Sequence, residues 1–197
     1  KDTLLNKKPI KIKLPIYNYN RSTGAMLSGE VARIFGHRGL PENSINISLK
    51  GTTGQAFGAW LSRGVTLEVE GEANDYVGKG MSSGVITIRM PQLIRRQHKH
   101  HTVIGNVALY GSTGGEIYVA GKGGERFAVR NSGASGVIEG IGNHGCEYMT
   151  NGTIVILGKI GSNFGAGMTG GVAFVYTKNK SLKRYINNDF IDQSELK

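Results

Sequence analysis

The stretch GTTGQAFG, residues 51–58, contains a glycine spacing, G-x-x-G-x-x-x-G, that recurs along the chain. The same spacing returns in GASGVIEG at residues 133–140 and in GKIGSNFG at residues 158–165. Imperfect copies, which keep two of the glycines, occur in GEANDYVG (71–78), GKGGERFA (121–128) and GNHGCEYM (142–149). Self-similarity of this kind is typical of proteins built from stacked repeats.

Runs of alternating apolar residues lie between the glycines and predict β-strands with one buried face. Such runs include GVTLEVE (64–70), GNVALYG (105–111) and RFAVRN (126–131). The residues expected to point inward are Ile45, Ile47, Leu49, Val65, Leu67, Val69, Ile86, Ile88, Val107, Leu109, Ile117, Val119, Phe127, Val129, Ile154 and Ile156. Because the runs end at glycine or proline, we expect a corner after each strand. Early corners are predicted about twenty residues apart, at Gly51, Gly71, Pro91 and Gly111.

Short strands, glycine corners and this period predict an all-β fold, a single parallel β-helix. In such a solenoid each coil buries its inward residues against its neighbours. The alternative is a β-sandwich of hairpins, which would need two-residue Asn-Gly or Asp-Gly turns between its strands. Asn151-Gly152 is the only such dipeptide in the sequence, so the β-helix is favoured.

Residues 22–36 change from a two-residue period to a helical one. The apolar stripe of an amphipathic helix is formed by Leu27, Val31, Ile34 and Phe35. The candidate caps are Ser22 or Thr23 at its start and Gly36 or Gly39 at its end. Because a solenoid must cover its open ends, we expect this helix, around residues 24–36, to cover the first coil.

The sequence divides into three parts on these grounds. They are a lead-in with the capping helix (1–43), the β-helix (44–176) and a polar tail (177–197). In the tail a short helix is predicted from Tyr185, Ile186, Phe190 and Ile191. The basic, histidine-containing LIRRQHKHHT, residues 93–102, is interpreted as an excursion between two coils.

Composition limits the class of protein. The single cysteine, Cys146, excludes an internal disulfide framework and favours a reducing, cytoplasmic compartment. No run of eighteen apolar residues occurs, so we expect no membrane-spanning segment. The net charge of +10 permits an acidic or nucleic-acid partner. The basic residues lie in three clusters (7–13, 95–101 and 178–184), and no RNA-binding motif accompanies them. We therefore interpret the clusters as solvated segments and expect no nucleic-acid partner.

Three short patterns that carry chemistry in other proteins stand here in the wrong context. GIGNHG (140–145) and GAGMTG (165–170) fit the dinucleotide fingerprint G-x-G-x-x-G, but strand-like sequence follows where a helix is needed. GMSSG (80–84) fits a nucleophile elbow around Ser82, again with a strand after it. We therefore expect neither nucleotide binding nor a serine nucleophile at these positions.

An enzyme hypothesis would rest on His144, Cys146 and Arg130. A cysteine–histidine pair can be nucleophilic, but Gly145 between the two favours a bend. A small buried cysteine that packs in a coil is the ordinary interpretation.

The other candidate groups are scattered. His98, His100 and His101 form a tract whose lysine and arginine neighbours oppose a metal ion. Glu68 and Glu70 alternate with apolar residues and should point outward. They lack the dense carboxylate cluster expected of a carbohydrate-active β-helix.

Longer strings are more specific than these patterns. LSGEVAR (27–33) and GEANDYVGKGMSSG (71–84) resemble the C-terminal domain of the glutamate synthase large subunit. The same resemblance is carried by GQAFGAW (54–60), GERFAVRNSGA (124–134), HGCEYMTNG (144–152) and NFGAGMTGG (163–171). It covers about residues 20–176, without LIRRQHKHH and the termini. A weaker resemblance, in the glycine-rich repeat alone, is to the β-helical subunit of formylmethanofuran dehydrogenase.

The resemblance to glutamate synthase implies a right-handed β-helix with a structural role. In that enzyme the domain holds the amidotransferase and FMN-binding domains in place while glutamine and 2-oxoglutarate are converted to glutamate. We expect FMN and the iron–sulfur cluster in those partner domains or subunits. No catalytic, cofactor or metal site is expected in this chain, since no stretch resembles a flavin barrel and one cysteine cannot hold a cluster.

The contact residues expected in this role are polar groups of the best-matching strings, at or beside corners. They are Asn74, Asp75, Tyr76, Lys79, Arg126, Arg130 and Asn131. The alternative is that these residues stack on one another as polar ladders within the fold. Two other functions stay open, a stand-alone β-helix protein similar to the formylmethanofuran dehydrogenase subunit and a polyanion-binding protein. Self-association is open as well.

Overall fold

The computed structural model describes residues 8–92, 100–177, 182–187, 189 and 191–195. These residues form mostly β-structure with one α-helix. The strands are β1 (Ile10–Ile16), β2 (Ile45–Thr53), β3 (Val65–Ala73), β4 (Val85–Arg89), β5 (Thr102–Ile104), β6 (Glu116–Gly123), β7 (Ser132–Gly140), β8 (Asn151–Ile156) and β9 (Val172–Val175). The helix α1 is Ala25–Phe35, and a short 3-10 helix follows at Gly36–Arg38.

All nine strands belong to one parallel sheet, here called the sheet wall. Its order is β1-β2-β3-β4-β6-β7-β8-β9, and β5 pairs with β3 and β6 beside this path. Apart from β5, each strand of this path pairs with the one before it, and all the pairings are parallel, so the chain returns in the same direction after every connection. Parallel neighbours cannot be joined by a hairpin. The hairpin sandwich considered from the sequence is therefore excluded.

The in-register pairing stacks apolar side chains into columns. One column runs from Leu49 through Val69, Ile88 and Val119 to Ile138. The predicted inward residues are buried, apart from Ile47, which is half-buried against the core, and Val107, which is half-buried as well. The β-branched and leucine side chains fill the interior as the period of two predicts.

Two parts of the strand prediction are wrong. The sheet runs through Gly51 and Gly71, which pair with each other inside β2 and β3, so these glycines do not end the strands. Residues 107–109 and 127–129 are turns rather than strands. Conversely, GASGVIEG (133–140), interpreted as a corner repeat, lies in strand β7.

The turns form a second stacked surface, here called the turn wall: residues 55–61, 75–81, 106–112, 125–131, 143–149 and 162–168. Backbone hydrogen bonds join each segment to the next. The Ala56 N–H donates to the Asp75 carbonyl at 2.8 Å, and the Tyr76 N–H donates to the Asn106 carbonyl at 2.9 Å. The core lies between the two walls, because the Ile86 side chain of the sheet wall reaches Gly58 of the turn wall.

The backbone of the turn wall is left-handed at alternate residues. Within the segment 56–60, Ala56, Gly58 and Trp60 have φ of 59°, 66° and 54°. The same alternation occurs at residues 76, 78 and 80, at 107, 109 and 111, at 126, 128 and 130, at 144, 146 and 148, and at 163, 165 and 167. The N–H groups of the left-handed residues point alternately to the next coil and to the previous one. The Trp60 N–H donates to the Lys79 carbonyl of the next coil, and the Gly58 N–H donates to the Thr23 carbonyl before it.

The helix α1 packs against the first segment of the turn wall. The Ser62 N–H donates to Ser28 Oγ at 3.2 Å, and Val31 is fully buried. Of the predicted stripe, Leu27 and Phe35 pack on the core, but Ile34 is 40% exposed. The N-cap is Gly24 without a side-chain cap, rather than Ser22 or Thr23, and the C-cap is Gly36 as predicted.

The far end of the stack is covered by residues of the tail. Ile186 forms a bridge with Phe164, and Leu182, Tyr185 and Ile191 pack on the core. Residues 183–185 form a turn and not the predicted helix, while Phe190 lies outside the described residues. Since β1 already pairs with β2, the sheet includes part of the lead-in. Among the described residues, no helix is both long and apolar enough to cross a bilayer.

Candidate interaction surface

A polar ladder runs along one edge of the turn wall. Asp75 Oδ1 accepts the Asn106 N–H at 2.7 Å, and Asn106 Oδ1 accepts the Glu125 N–H at 2.8 Å. Further along, Asn143 Nδ2 donates to Glu125 Oε1 at 3.2 Å, and Asn143 Oδ1 accepts the Ser162 N–H at 2.9 Å. Asp75, Asn106 and Asn143 each satisfy a backbone donor of the next coil, and Glu125 accepts from a side chain of the next coil. Asp75 therefore belongs to a ladder that holds the coils together, as the alternative interpretation of these residues anticipated.

Two predicted contact residues are committed to the fold in other ways. Asn131 is fully buried; its Nδ2 donates to the Ala134 carbonyl at 2.9 Å, and its Oδ1 accepts the Ala134 N–H at 3.0 Å. It fixes its own turn, so its prediction as a surface contact is corrected. Asn74 is half-buried and bonds to Asn18 Oδ1 at 3.0 Å.

The other four predicted contact residues lie on the outer face of the turn wall. Tyr76, Arg126 and Arg130 are exposed, and Lys79 is half-buried with its Nζ 5.4 Å from the centre of the Tyr76 ring. This distance is within the range of a cation–π contact. Whether this face contacts a partner stays a prediction.

Two large aromatic residues on the same face were missed by the sequence reasoning. Trp60 is 57% exposed and Tyr148 is 55% exposed. Arg130 Cζ lies 5.6 Å from the centre of the Tyr148 ring. The signal was present in the repeat, because Trp60, Arg130 and Tyr148 share one position, the last left-handed residue of their segments. Alignment of the coils on this residue, rather than on the first glycine, would have grouped them.

The structure separates the residues of the enzyme hypothesis. His144 Nδ1 lies 2.6 Å from Glu147 Oε1 on the outer face, and Asn163 Nδ2 donates to the same oxygen at 2.9 Å. Cys146 is fully buried, and burial raises the pKa of its thiol to about 12. Such a thiol is protonated and inaccessible at neutral pH, so it is not an activated nucleophile. Arg130 lies against Tyr148 instead.

Most of the N–H groups in the glycine motifs are already engaged. In GIGNHG the Ile141 and Gly142 N–H groups donate to the carbonyls of Lys159 and Gly124 at 2.9 and 3.0 Å. In GAGMTG the Gly165 N–H donates to the Gly145 carbonyl at 2.8 Å. A phosphate cradle needs free N–H groups at a helix start. These motifs therefore do not fit the phosphate of FMN.

The described residues also do not fit an iron–sulfur cluster or another metal centre. A cluster needs several thiolates, and the one cysteine is enclosed in the core. In the described part of the chain no three His, Cys, Asp or Glu side chains come together as a metal site. His100 and His101 are exposed, and His98 lies outside the described residues.

On the sheet wall the outward carboxylates are paired. Glu70 lies 3.2 Å from Arg89 and 3.7 Å from Lys50. Ser48 Oγ donates to Glu68 Oε2 at 3.2 Å. These contacts join neighbouring strands, since Lys50, Glu70 and Arg89 are in register. The two glutamates point outward as predicted and serve cross-strand pairing.

The whole chain, residues 1–197, matches the family model of the GXGXG motif. This chain belongs to the GXGXG motif family. The spacing in that name, glycine at every second residue, is the spacing of the left-handed residues in the turn wall. Glycine adopts this conformation most easily. In this GXGXG chain some of these positions carry other residues, such as Leu109, Ala128 and Cys146, whose side chains fill the core.

Comparison with known proteins finds glutamate synthases among the relatives of this chain. The chain is 47% identical over 188 residues to the glutamate synthase [NADH] of Schizosaccharomyces pombe, covering 95% of the chain and 9% of that protein. It is 48% identical over 185 residues to the glutamate synthase [NADPH] large chain of Bacillus subtilis, covering 93% and 12%. It is 43% identical over 190 residues to the chloroplastic ferredoxin-dependent glutamate synthase 2 of Arabidopsis thaliana, covering 96% and 12%.

The GXGXG chain thus spans about a tenth of the length of these relatives. The resemblance to glutamate synthase that the sequence strings carry is confirmed. The electron donors in the three names differ (NADH, NADPH and ferredoxin), while the match to this segment is of similar extent. The segment is therefore common to glutamate synthases that use different donors.

Proposed function

We propose that this chain is the non-catalytic structural domain of a glutamate synthase. In this role it positions amidotransferase and FMN-binding domains or subunits while glutamine and 2-oxoglutarate are converted to glutamate. The observation that carries the proposal is the identity of 47% and 48%, over more than nine-tenths of the chain, to glutamate synthases with different electron donors. A segment that is similar in synthases with different electron donors fits a part of the enzyme that does not contact the electron donor.

For the fold we propose a right-handed β-helix whose first coil is covered by α1. The single parallel sheet and the turn wall, hydrogen-bonded coil by coil, support this proposal. Parallel strands in one sheet are joined by right-handed connections in nearly all proteins. We place the helix and the lead-in, whose strand β1 joins the sheet, at residues 1–43, the rest of the β-helix at 44–176 and the tail at 177–197. A crystal structure with a left-handed path would contradict the proposal.

Rigidity is the property that fits this chain to a positioning role. Both walls are continuous: the strands pair in register, and the turn segments donate N–H groups to both neighbouring coils. Side-chain ladders, such as Asp75 to Asn106, reinforce the corners. Such a stack holds its outer surface in fixed register, and domains bound to it would be held at a fixed spacing.

The chemistry of the reaction is assigned to the partners. FMN and the iron–sulfur cluster would be held by the FMN-binding domain, since the thiol of Cys146 is enclosed and most of the N–H groups in the glycine motifs are engaged. The free cysteine also suits a reducing compartment such as the cytoplasm.

The test of the proposal is reconstitution. Amidotransferase and FMN-binding parts without this segment should form glutamate from 2-oxoglutarate only weakly, and the added chain should restore the reaction. The chain alone, mixed with FMN and glutamine, should retain no stoichiometric flavin and release no ammonia. Full activity without the chain would contradict the proposal, as would glutaminase activity of the chain that Cys146→Ala abolishes.

A further inference from the structure

Two aromatic rings on the turn wall lie close against glycines of the following coil. A Cβ added to Gly80 would come within 3.0 Å of the Trp60 indole, and one added to Gly167 would come within 2.6 Å of the Tyr148 ring. Each ring is thus packed against a glycine on one side, while the side chains stay 57% and 55% exposed. A ring held in this way loses little conformational entropy when a partner covers its free face.

The turn wall carries three cations without carboxylate partners among the described residues, and one of them, Arg130, lies against the Tyr148 ring. Lys79, Arg126 and Arg130 make no ion pair within the described residues, and their contacts there are to aromatic rings or to backbone. The nearby Glu147 is engaged by His144 and Asn163. The sheet wall differs, because its Lys50 and Arg89 are neutralised by Glu70.

We propose that the outer face of the turn wall binds an acidic protein surface. Trp60 and Tyr148 act as its anchors, and Lys79, Arg126 and Arg130 pair with carboxylates of the partner. Trp, Tyr and Arg are the residues that contribute most to the energy of protein–protein interfaces. Complementary charge also selects the partner and its orientation. This inference rests on the proposed function, in which the partner is another domain or subunit of the same synthase.

Charge decides between an acidic partner and a second copy of this chain. Two turn walls placed face to face would bring the cations Lys79, Arg126 and Arg130 of one copy close to those of the other, which costs free energy. The chain as a whole carries a net charge of +10. An acidic partner removes this repulsion and supplies the carboxylates that the cations lack.

Zero-length carbodiimide cross-linking of the assembled glutamate synthase tests the charged part of the surface. Lys79 should form an amide with an Asp or Glu of another domain or subunit. Lys79→Arg should abolish this cross-link while keeping the charge, since only the amine reacts. The matched control is Lys50 on the sheet wall, whose Nζ lies 3.7 Å from Glu70 Oε1 and which should cross-link within the chain.

Hydroxyl-radical footprinting tests the aromatic part. Oxidation of Trp60 and Tyr148 should be several-fold slower in the assembled enzyme than in the isolated chain. The control is Tyr118 on strand β6 of the sheet wall, which is 44% exposed and should be oxidised equally in both.

The outcomes separate this inference from the proposed function. If Tyr118 is protected from oxidation, Trp60 is not protected and Lys79 forms no cross-link, the interface lies on the sheet wall. That result would overturn the inference and keep the positioning role. No protection and no cross-link from any residue of this chain to the other domains would overturn both.

Discussion

The sheet wall and the turn wall enclose the same core, but they obey opposite backbone rules. In the sheet wall β-branched residues such as Val65 and Ile86 stand in ordinary strand conformation and pair in register. In the turn wall every second residue is left-handed, and Val107 and Leu109 both have φ of 61°. The comparison shows that apolar alternation alone does not specify a strand. The turn wall uses the same alternation to place side chains in the core from a different backbone.

The two walls also differ in how they treat charge. The sheet wall pairs Glu70 with Lys50 and Arg89 across neighbouring strands. On the turn wall Arg130 and Lys79 contact aromatic rings instead. A wall with neutralised charges needs no partner, whereas the turn wall presents cations and aromatic rings together. This difference is the reason for assigning the interface to the turn wall.

The largest effect should come from the core that the two walls share. Leu67 is fully buried and lies in register between Ile47 and Ile86. Leu67→Ala should lower the free energy of unfolding by about 2–5 kcal/mol, because the closed core cannot collapse into the cavity. Denaturant unfolding measures the loss. A change below about 1 kcal/mol would mean that the walls do not close tightly on each other at this point.

A second effect comes from Cys146, at the centre of a turn-wall segment. Its folded pKa is raised by burial to about 12, above the ordinary value for an unfolded chain. Above that ordinary value the unfolded chain loses a proton that the folded chain keeps, so stability falls as pH rises, by about 1.4 kcal/mol per unit. The stability continues to fall until the pH reaches the folded pKa of the thiol. Below the ordinary pKa of a thiol, the contribution of the protonated thiol to stability is fully present.

Cys146→Ala is the matched variant for this effect, since Ala128 occupies the equivalent position of the preceding coil. Between about pH 8.5 and 10 the unmodified chain should lose about 2 kcal/mol relative to the variant. Denaturant unfolding at several pH values measures the difference. Parallel curves for the two proteins would show that the thiol is not enclosed.

A pair of valine substitutions separates the two backbone rules. Val107 and Val137 are both half-buried, but Val107 is left-handed in the turn wall and Val137 lies in strand β7. Val107→Gly should leave stability unchanged or raise it by up to about 1 kcal/mol, because it removes left-handed strain. Val137→Gly should lower it by about 1 kcal/mol or more. Equal losses in thermal or denaturant unfolding would remove the distinction between the walls.

The smallest effect is expected at the charges of the sheet wall. Glu70→Gln should lower stability by less than about 1 kcal/mol, because Lys50 and Arg89 are partly solvated and such pairs contribute little. The loss should shrink further in high salt. A larger loss, unaffected by salt, would mean that Glu70 supports the sheet by more than cross-strand pairing.

The sheet wall was largely predictable, because residues such as Val65, Leu67 and Val69 combine a period of two with the β-branched neighbours that favour a strand. Strand β7 was missed because its glycines looked like a corner repeat. The structure gives the reason: Gly136 faces the core, where an added Cβ would lie 3.0 Å from Ile117 and 3.3 Å from Ile154. Large neighbours on both sides fill the space, and glycine is the residue that fits between them.

The turn wall could not be predicted from apolar alternation. Phe127 and Val129 are buried as expected, yet they lie in a turn in which Arg126, Ala128 and Arg130 are left-handed. A left-handed alanine or arginine cannot be recognised from the sequence. In the structure, hydrogen bonds to the coils on either side offset the conformational strain of such a residue. Among the polar residues near the corners, the sequence did not distinguish the buried Asn131 from the exposed Arg130.

The central claim, that this chain positions its partners through the turn wall, is tested most directly by the coupling of the assembled synthase. The measurement is the glutamate formed from 2-oxoglutarate per glutamine hydrolysed. The turn-wall variant Trp60→Ala with Arg130→Glu should lower this ratio several-fold while the chain stays folded. The sheet-wall variant Tyr118→Ala with Lys50→Glu should leave it unchanged. An unchanged ratio in the turn-wall variant, or an equal fall in both variants, would contradict the claim.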